Sequence, residues 1–328
     1  MRVFVAGGAG YIGSTTAAAL LAAGHDVTVY DALERGHRQA VPDGVRLIQG
    51  DIGDAEALRR ALATARFDAA MHLGAFIEAG ESMRDPGSFF ANNVAGSVTL
   101  INALLEAGVE RLVFSSSAGV YGEPDVIPIP EEHPLRSVNV YGETKLLVER
   151  MLRWYSERCG LRWVALRYFN AAGATTDRGE DHDPETHLIP IVLQVPLGTR
   201  DVLTIFGDDY PTRDGTCVRD YVHVLDLARA HILALGQCDR GSGAFNLGNG
   251  QGFSNMEVVE AARRVTGHPI PVELGPRRPG DPAELVASSE KARTLLGWQP
   301  RYTSLDDIVA SAWEWHRSHP NGYDDERV

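Results

Sequence analysis

The stretch RVFVAGGAGYIG, residues 2–13, decides the fold. RVFVA is a short β-branched and aromatic run that reads as a strand, and IGSTTAAALLAAG (12–24) reads as the helix that follows. Between them lie glycines at 7, 8, 10 and 13. Gly8, Gly10 and Gly13 satisfy G-x-G-x-x-G in the context it requires, strand before and helix after. Such glycines let the backbone approach a pyrophosphate at the positive N-terminus of a helix. Asp31 ends the next strand-like run, DVTVYD (26–31), where an acid binds a ribose 2′-hydroxyl and repels a 2′-phosphate. The reading is a dinucleotide site that favours NAD over NADP, a preference that the nearby Arg35 and Arg38 weaken. Gly7, Gly10, Tyr11, Ile12, Gly13 and Asp31 are set against the cofactor. Asp51 ends a third run, VRLIQGD (45–51), and Ile52 follows it, with Asp51 either reaching the adenine or standing as a solvated strand-end acid.

Further along, AAMHLG (69–74), RLVFSSS (111–117) and RWVALRY (162–168) repeat the strand pattern, with helix-like NNVAGSVTLINALLEAG (92–108) among them. Strands alternating with helices imply βαβ units and a parallel sheet covered on both faces. After about residue 170 the pattern loosens, and the polar stretch GATTDRGEDHDPETH (173–187) interrupts it. The expectation is an α/β chain. Residues 1–170 form a Rossmann-type, doubly wound parallel sheet. Residues 171–328 form mainly a smaller substrate lobe over its C-terminal edge, with some segments returning to the first domain.

The bulk composition narrows the function classes. The chain has 328 residues, 44% of them apolar, enough for a sizeable core. A formal charge of −13 argues against nucleic acid or an anionic membrane as partner, since both need a cationic face. Three cysteines are too few and too scattered for a disulfide framework or a zinc site. No apolar run reads as a membrane span, and MRVFVAGG carries no signal-peptide pattern. The expectation is a reduced cytoplasmic protein.

The chemistry is read from YGETK (141–145). On a helix, Tyr141 and Lys145 at i and i+4 project the same way, and the segment that follows is helical in composition. Oxidation of an alcohol needs a base at the hydroxyl and a hydride acceptor at the same carbon. A cation beside the phenol, with the positive nicotinamide, would bring its pKa toward neutrality. Upstream, VFSSSAGVYG places serine hydroxyls at a strand end, where one can hydrogen-bond a substrate oxygen.

GGAGYIG, the serine strand and YGETK together resemble the extended short-chain dehydrogenase/reductases. GESMRDPGSFFANNV (80–94), FSSSAGVYGE (114–123), LRYFNAAGA (166–174), DHDPETHLIP (181–190), IFGDDYPTRDGTCVRDYVHVLDLARAH (205–231) and WEWHRSHPNGY (313–323) are similar to the UDP-glucose (UDP-galactose) 4-epimerase family, over essentially the whole chain. The resemblance implies Tyr141 as catalytic base, Lys145 tuning it and holding the nicotinamide ribose, and Ser117 on the reacting hydroxyl. It places Asn93 and Phe169 beside the cofactor and Asn170 near the substrate diphosphate. His187 and Leu188 fall on the substrate side, Thr204 and Phe206 hold the uracil, Arg219 and Arg278 clamp the diphosphate, and Asp281 binds the uridine ribose. Leu285 is set at the sugar's C2 side, where an aliphatic wall leaves some room for an N-acetyl group. A UDP-hexose substrate, tightly bound NAD and a homodimer are implied with it.

Some positions depart from the family's pattern. Ala32-Leu33 replaces a frequent Asn-Leu, Ile77 replaces a frequent lysine near the nicotinamide, and His187 stands where some members have Asn. His182 and His187 lack the i, i+4 spacing of a helical metal site, so no metal is assigned and structural or substrate-side contacts are expected. A 4-epimerase of another UDP-sugar (N-acetylated, glucuronate or pentose) would share every uridine contact. A 4,6-dehydratase needs an extra acid–base pair beside the serine, and Ser117-Ala118-Gly119 offers none. A one-way dehydrogenase or reductase would need a cofactor that exchanges freely, and a non-catalytic NAD-binding protein would be expected to have lost the Tyr or the Lys.

Overall fold

The computed structural model describes residues 1–278 and 280–323. Seven parallel strands form one sheet, in the order Gly243–Leu247, Arg162–Tyr168, Arg111–Ser117, Ala69–His72, Arg2–Ala6, Asp26–Asp31, Arg46–Gln49. The period-two geometry of a strand divides its side chains between two cores. Val3 and Val5 of the first strand pack with Ala17 and Leu20 of the helix Tyr11–Ala22 and with Leu227 and Ala234 of the helix Val224–Gln237. Phe4 and Ala6 face the other way, onto Leu58, Leu100, Leu104, Val148 and Leu152. Burial on both faces accounts for runs of continuous apolar residues rather than alternating ones.

The strand order reverses between Arg2–Ala6 and Ala69–His72. At such a reversal the connections leave in opposite directions and open a crevice at the carboxyl ends of the strands. The glycine turn lies at that crevice, where Leu73 N–H donates to the Ala6 carbonyl at 2.8 Å. The third strand runs only from Arg46 to Gln49, shorter than the sequence pattern predicts.

The helix expected over 92–108 begins earlier. It is a continuous run, Pro86–Glu106, with π-helical turns over Phe90–Gly96. By length (21 residues) and hydropathy it is apolar enough to cross a membrane, which corrects the sequence reading that no run qualifies. In this fold it is a core helix, because Leu100, Ile101 and Leu104 are fully buried against the sheet.

Beyond the sheet, a third core gathers Ile189, Val192, Leu203, Ile205, Val258, Val259, Ile308 and Val309. It draws on the helices Leu188–Gln194, Asn255–Thr266 and Leu305–Ser318 and on the parallel strands Leu203–Phe206 and Val272–Gly275. Between these elements the chain returns to the main sheet, where Gly243–Leu247 pairs with Arg162–Tyr168 at its edge.

Candidate active site

The glycine turn is built by contact distances. Gly7 adopts φ +78°, and a Cβ there would lie 2.2 Å from the Gly74 nitrogen. A Cβ on Gly13 would lie 2.1 Å from the Gly7 carbonyl oxygen. Gly10 differs: a Cβ there would meet only the Gly7 oxygen, at 3.8 Å, so it faces open space. Gly8, although part of the fingerprint, is turned onto the Val29 side chain and away from the cavity. Gly10 caps the helix Tyr11–Ala22 with no side-chain hydrogen bond, so the helix presents bare N–H groups to the crevice.

A long cavity starts at this turn. It is lined by Gly7, Gly10, Tyr11, Ile12, Gly13, Asp31, Asp51, Ile52, Phe169 and Asn170, and it reaches Ser117, Tyr141 and Lys145. Asp31 accepts the Ala9 N–H at 2.8 Å and the Leu33 N–H at 2.9 Å, which fixes the carboxylate at the cavity edge. Burial raises its pKa, and those two N–H groups pull it back. Arg35 lies 3.4 Å from Glu78, and Arg38, which donates to the neutral Gln49 amide at 3.0 Å, does not line the cavity. Open space at Gly10 over bare helix N–H groups, with the Asp31 carboxylate at the same cavity, fits NAD.

At the far end, Asn139 caps the helix Val140–Cys159 by accepting the Gly142 N–H at 2.8 Å. The first turn therefore holds Tyr141 at the crevice, one turn before Lys145. Lys145 Nζ donates to the Ser115 carbonyl at 2.9 Å and lies 5.8 Å from the Tyr141 ring centroid. Ser117 hydrogen-bonds the Tyr141 phenol, and its oxygen also accepts the Gly119 N–H at 3.1 Å.

The protein's own groups do not by themselves bring the phenol toward neutrality. Burial raises the Tyr141 pKa above its ordinary value, with the Ser117 hydrogen bond opposing and Glu78 reinforcing the rise. Lys145 does not offset this, because burial pushes its own pKa down to about 7. A cation held among Phe114, Tyr141 and the strand is too poorly solvated to act as a fixed positive charge near neutral pH.

A second cavity of about 410 Å³ adjoins the first, and Asn170 and His187 line both. Its walls carry Leu188, Thr204, Phe206, Arg219, Arg278 and Asp281. The Arg278 guanidinium lies 4.2 Å from the Phe206 ring centroid, a cation–π contact that orders both. Arg219 and Asp281, expected to hold different parts of a substrate, are ion-paired with each other.

Two predicted site residues are placed elsewhere. Asn93 is buried beneath the cavity wall, its amide spent on Phe76 N–H, Phe76 C=O and Thr144, and its neighbour Asn92 lines the cavity. Leu285 lines neither cavity and packs against a core that includes Ala118, Val120 and Phe169. The sequence reading missed Glu78, Glu180 and Glu185. Glu78 is buried in the cavity wall, while Glu180 and Glu185 converge on His187 at 2.8 and 2.9 Å. The density of acids and histidines in GEDHDPETH was the signal.

The sequence pattern of the NAD dependent epimerase/dehydratase family matches residues 3–248. A UDP-glucose 4-epimerase of Lacticaseibacillus casei is 54% identical, over 99% of this chain and 99% of that protein. A crystal structure of UDP-glucose 4-epimerase superposes with a TM-score of 0.96 at 49% identity, covering 99% of this chain and 100% of that one. The Brucella ovis UDP-glucose 4-epimerase, solved in complex with NAD, gives 0.92 at 45% identity, over 95% of this chain and 97% of that one. Glycine cradle, strand-end acid and Tyr-Lys helix stand in one crevice, and the chain belongs to the NAD dependent epimerase/dehydratase family.

Proposed function

We propose that this chain interconverts UDP-glucose and UDP-galactose by inverting C4 of the sugar through a transient 4-keto sugar. The observation that carries this reading is the junction of the two cavities at Asn170 and His187. One cavity holds an alcohol-oxidising pair at a dinucleotide cradle, and the other gathers arginines and an aromatic ring suited to a nucleoside diphosphate. Arg219 and Arg278 grip phosphate oxygens, since guanidinium groups bind them bidentately. Phe206 and Thr204 hold the uracil, and Asp281 the ribose.

NAD, when bound, supplies the hydride acceptor and the positive charge that favours phenolate. Tyr141 takes the O4 proton and returns it, while Ser117 holds the O4 oxygen through its hydroxyl. Lys145 positions the phenol and reaches the nicotinamide ribose. Binding energy collected at the uridine and diphosphate retains the substrate while the hexose turns about that anchor. Residues 1–170 thus serve the cofactor and most of 171–328 the nucleotide sugar. Ala118 and Gly119 put nothing ionisable beside Ser117, which disfavours dehydration. A 4-epimerase of N-acetylated UDP-sugars is the second reading, since it would share every uridine contact; Leu285, which lines neither cavity, does not discriminate between the two. A homodimer of this chain in the cytoplasm completes the reading, consistent with cysteines that are all unpaired.

The test is nucleotide content together with turnover. Protein purified without added nucleotide, denatured, should release about one NAD per chain, and the same preparation should convert UDP-galactose to UDP-glucose with nothing added. Protein that arrives empty and consumes NADH in proportion to substrate is a reductase, and the proposal then fails.

A further inference from the structure

Four potential ligands converge on the loop that separates the two cavities. Glu180, His182, Glu185 and His187 each offer one donor atom, and all four atoms lie within 4.8 Å of one another. His187 Nδ1 lies 2.8 Å from Glu180 Oε1 and 2.9 Å from Glu185 Oε1. His182 Nδ1 lies 3.4 Å from Glu180 Oε1 and 3.9 Å from Glu185 Oε2. Ligands at zinc bond lengths in a tetrahedron stand roughly 3.4 Å apart, so these separations bracket what a small cation needs.

A protonated His187 between two carboxylates explains only part of the cluster. It leaves His182 Nδ1 buried with only a long, poorly aligned approach to Glu180 Oε1 at 3.4 Å, a position that is costly unless a ligand uses it. It also leaves two largely buried carboxylates to share one imidazolium charge. One divalent cation with two neutral imidazoles satisfies both. Glu185 is held for such a role, since its Oε1 accepts the Thr186 and His187 N–H groups at 2.7 and 2.8 Å. Outer contacts of that kind orient a ligating carboxylate.

We infer that Glu180, His182, Glu185 and His187 form a binding site for one divalent transition-metal ion of the zinc class. Two imidazoles and two carboxylates select such an ion over magnesium or calcium, which take oxygen ligands. Glu180, His182 and His187 border the dinucleotide cavity, and Glu185 and His187 the second one. The ion clasps residues 180–187 into the wall between the two cavities. Its role is structural, and Nδ1 is the nitrogen that His187 gives to it. The inference stands on the cluster's geometry and is independent of the reaction proposed above. No helical spacing marks these residues as a metal site; the loop's folding brings the four side chains together.

The test uses the full-length protein, stripped with a chelator and desalted. Zn²⁺ is titrated by calorimetry with Mg²⁺ in parallel, and Co²⁺ is followed by its visible absorption. The expected result is one Zn²⁺ per chain, no comparable Mg²⁺ binding, a tetrahedral Co²⁺ spectrum displaced by Zn²⁺, and a higher Tm with Zn²⁺. His182→Ala and Glu185→Gln should each weaken Zn²⁺ binding by roughly 100-fold, as loss of one of four ligands implies. His268→Ala, outside the cluster, should leave it unchanged. Absence of stoichiometric Zn²⁺ binding, or a wild-type Co²⁺ complex without the tetrahedral band, overturns the inference without reference to any variant. Equal affinity in the cluster variants and in wild type overturns it as well.

Discussion

Tyr141 and Lys145 share one helical face, yet burial moves their pKa values apart rather than together. The phenol is pushed up and the ammonium down to about 7. The sign of the stability effect follows. Lys145 binds its proton more weakly in the folded chain than in the unfolded one, where a lysine titrates near roughly 10.4. The folded state is therefore penalised at pH below about 7, and the penalty fades as pH rises through the window up to the unfolded value. In nucleotide-free protein, Lys145→Met should raise stability at pH 7. That advantage should shrink by roughly 1.4 kcal/mol per pH unit on going to pH 9. Denaturant melts of both proteins across that range check it, and an advantage that grows with pH contradicts it. Tyr141→Phe keeps the ring and removes the hydroxyl that carries the proton. Turnover should fall by roughly the 10²–10⁴-fold typical of losing an acid–base group, with UDP affinity nearly unchanged, as kcat and UDP titrations would show. Both residues were legible in the sequence because i, i+4 spacing is a local property. Their titration was not, since it depends on Phe114, Ser115 and Glu78, brought in from other elements.

Among the elements, the helix Val140–Cys159 carries the chemistry in its first turn, and its start is set by one side chain. Asn139 satisfies the Gly142 N–H, and Tyr141 N–H is taken up by Ser82 Oγ at 3.1 Å. Asn139→Ala should cost about 1 kcal/mol of stability, the usual price of a lost N-cap. Fraying there loosens Tyr141 directly, so kcat should fall while KM stays near its value. A Tm measurement with steady-state kinetics checks both, and a change in KM alone contradicts it. Strands such as Arg2–Ala6 and Arg162–Tyr168 fall where the β-branched runs place them, because both faces are buried and the pattern is continuous. Asn93 shows what the pattern could not carry. π-helical turns over Phe90–Gly96 shift the helix register, so Asn92 takes the cavity wall and Asn93 ties the Phe76 backbone beneath it. Leu285 similarly lies in the two-residue strand Glu284–Leu285, paired with Val218–Arg219, and packs onto the Phe169 core.

Across the whole molecule, the main sheet was readable from βαβ alternation. The joining of two cavities at Asn170 and His187 was not, because it depends on how the loop 173–187 crosses the crevice. Tyr11 donates to the Gly173 carbonyl at 2.5 Å, which ties the cofactor-side helix to the start of that loop. The Glu180–His187 cluster lies in the same loop, where no regular spacing announces it. The central claim is that one hydrogen leaves C4 of the sugar and returns to the opposite face of the same sugar. The direct measurement is turnover of UDP-galactose deuterated at C4, in unlabelled water, by purified protein without added nucleotide, with the product read by NMR. This account predicts UDP-glucose that keeps its deuterium at C4. Deuterium lost to solvent, or a product with hydrogen from water at C4, contradicts it.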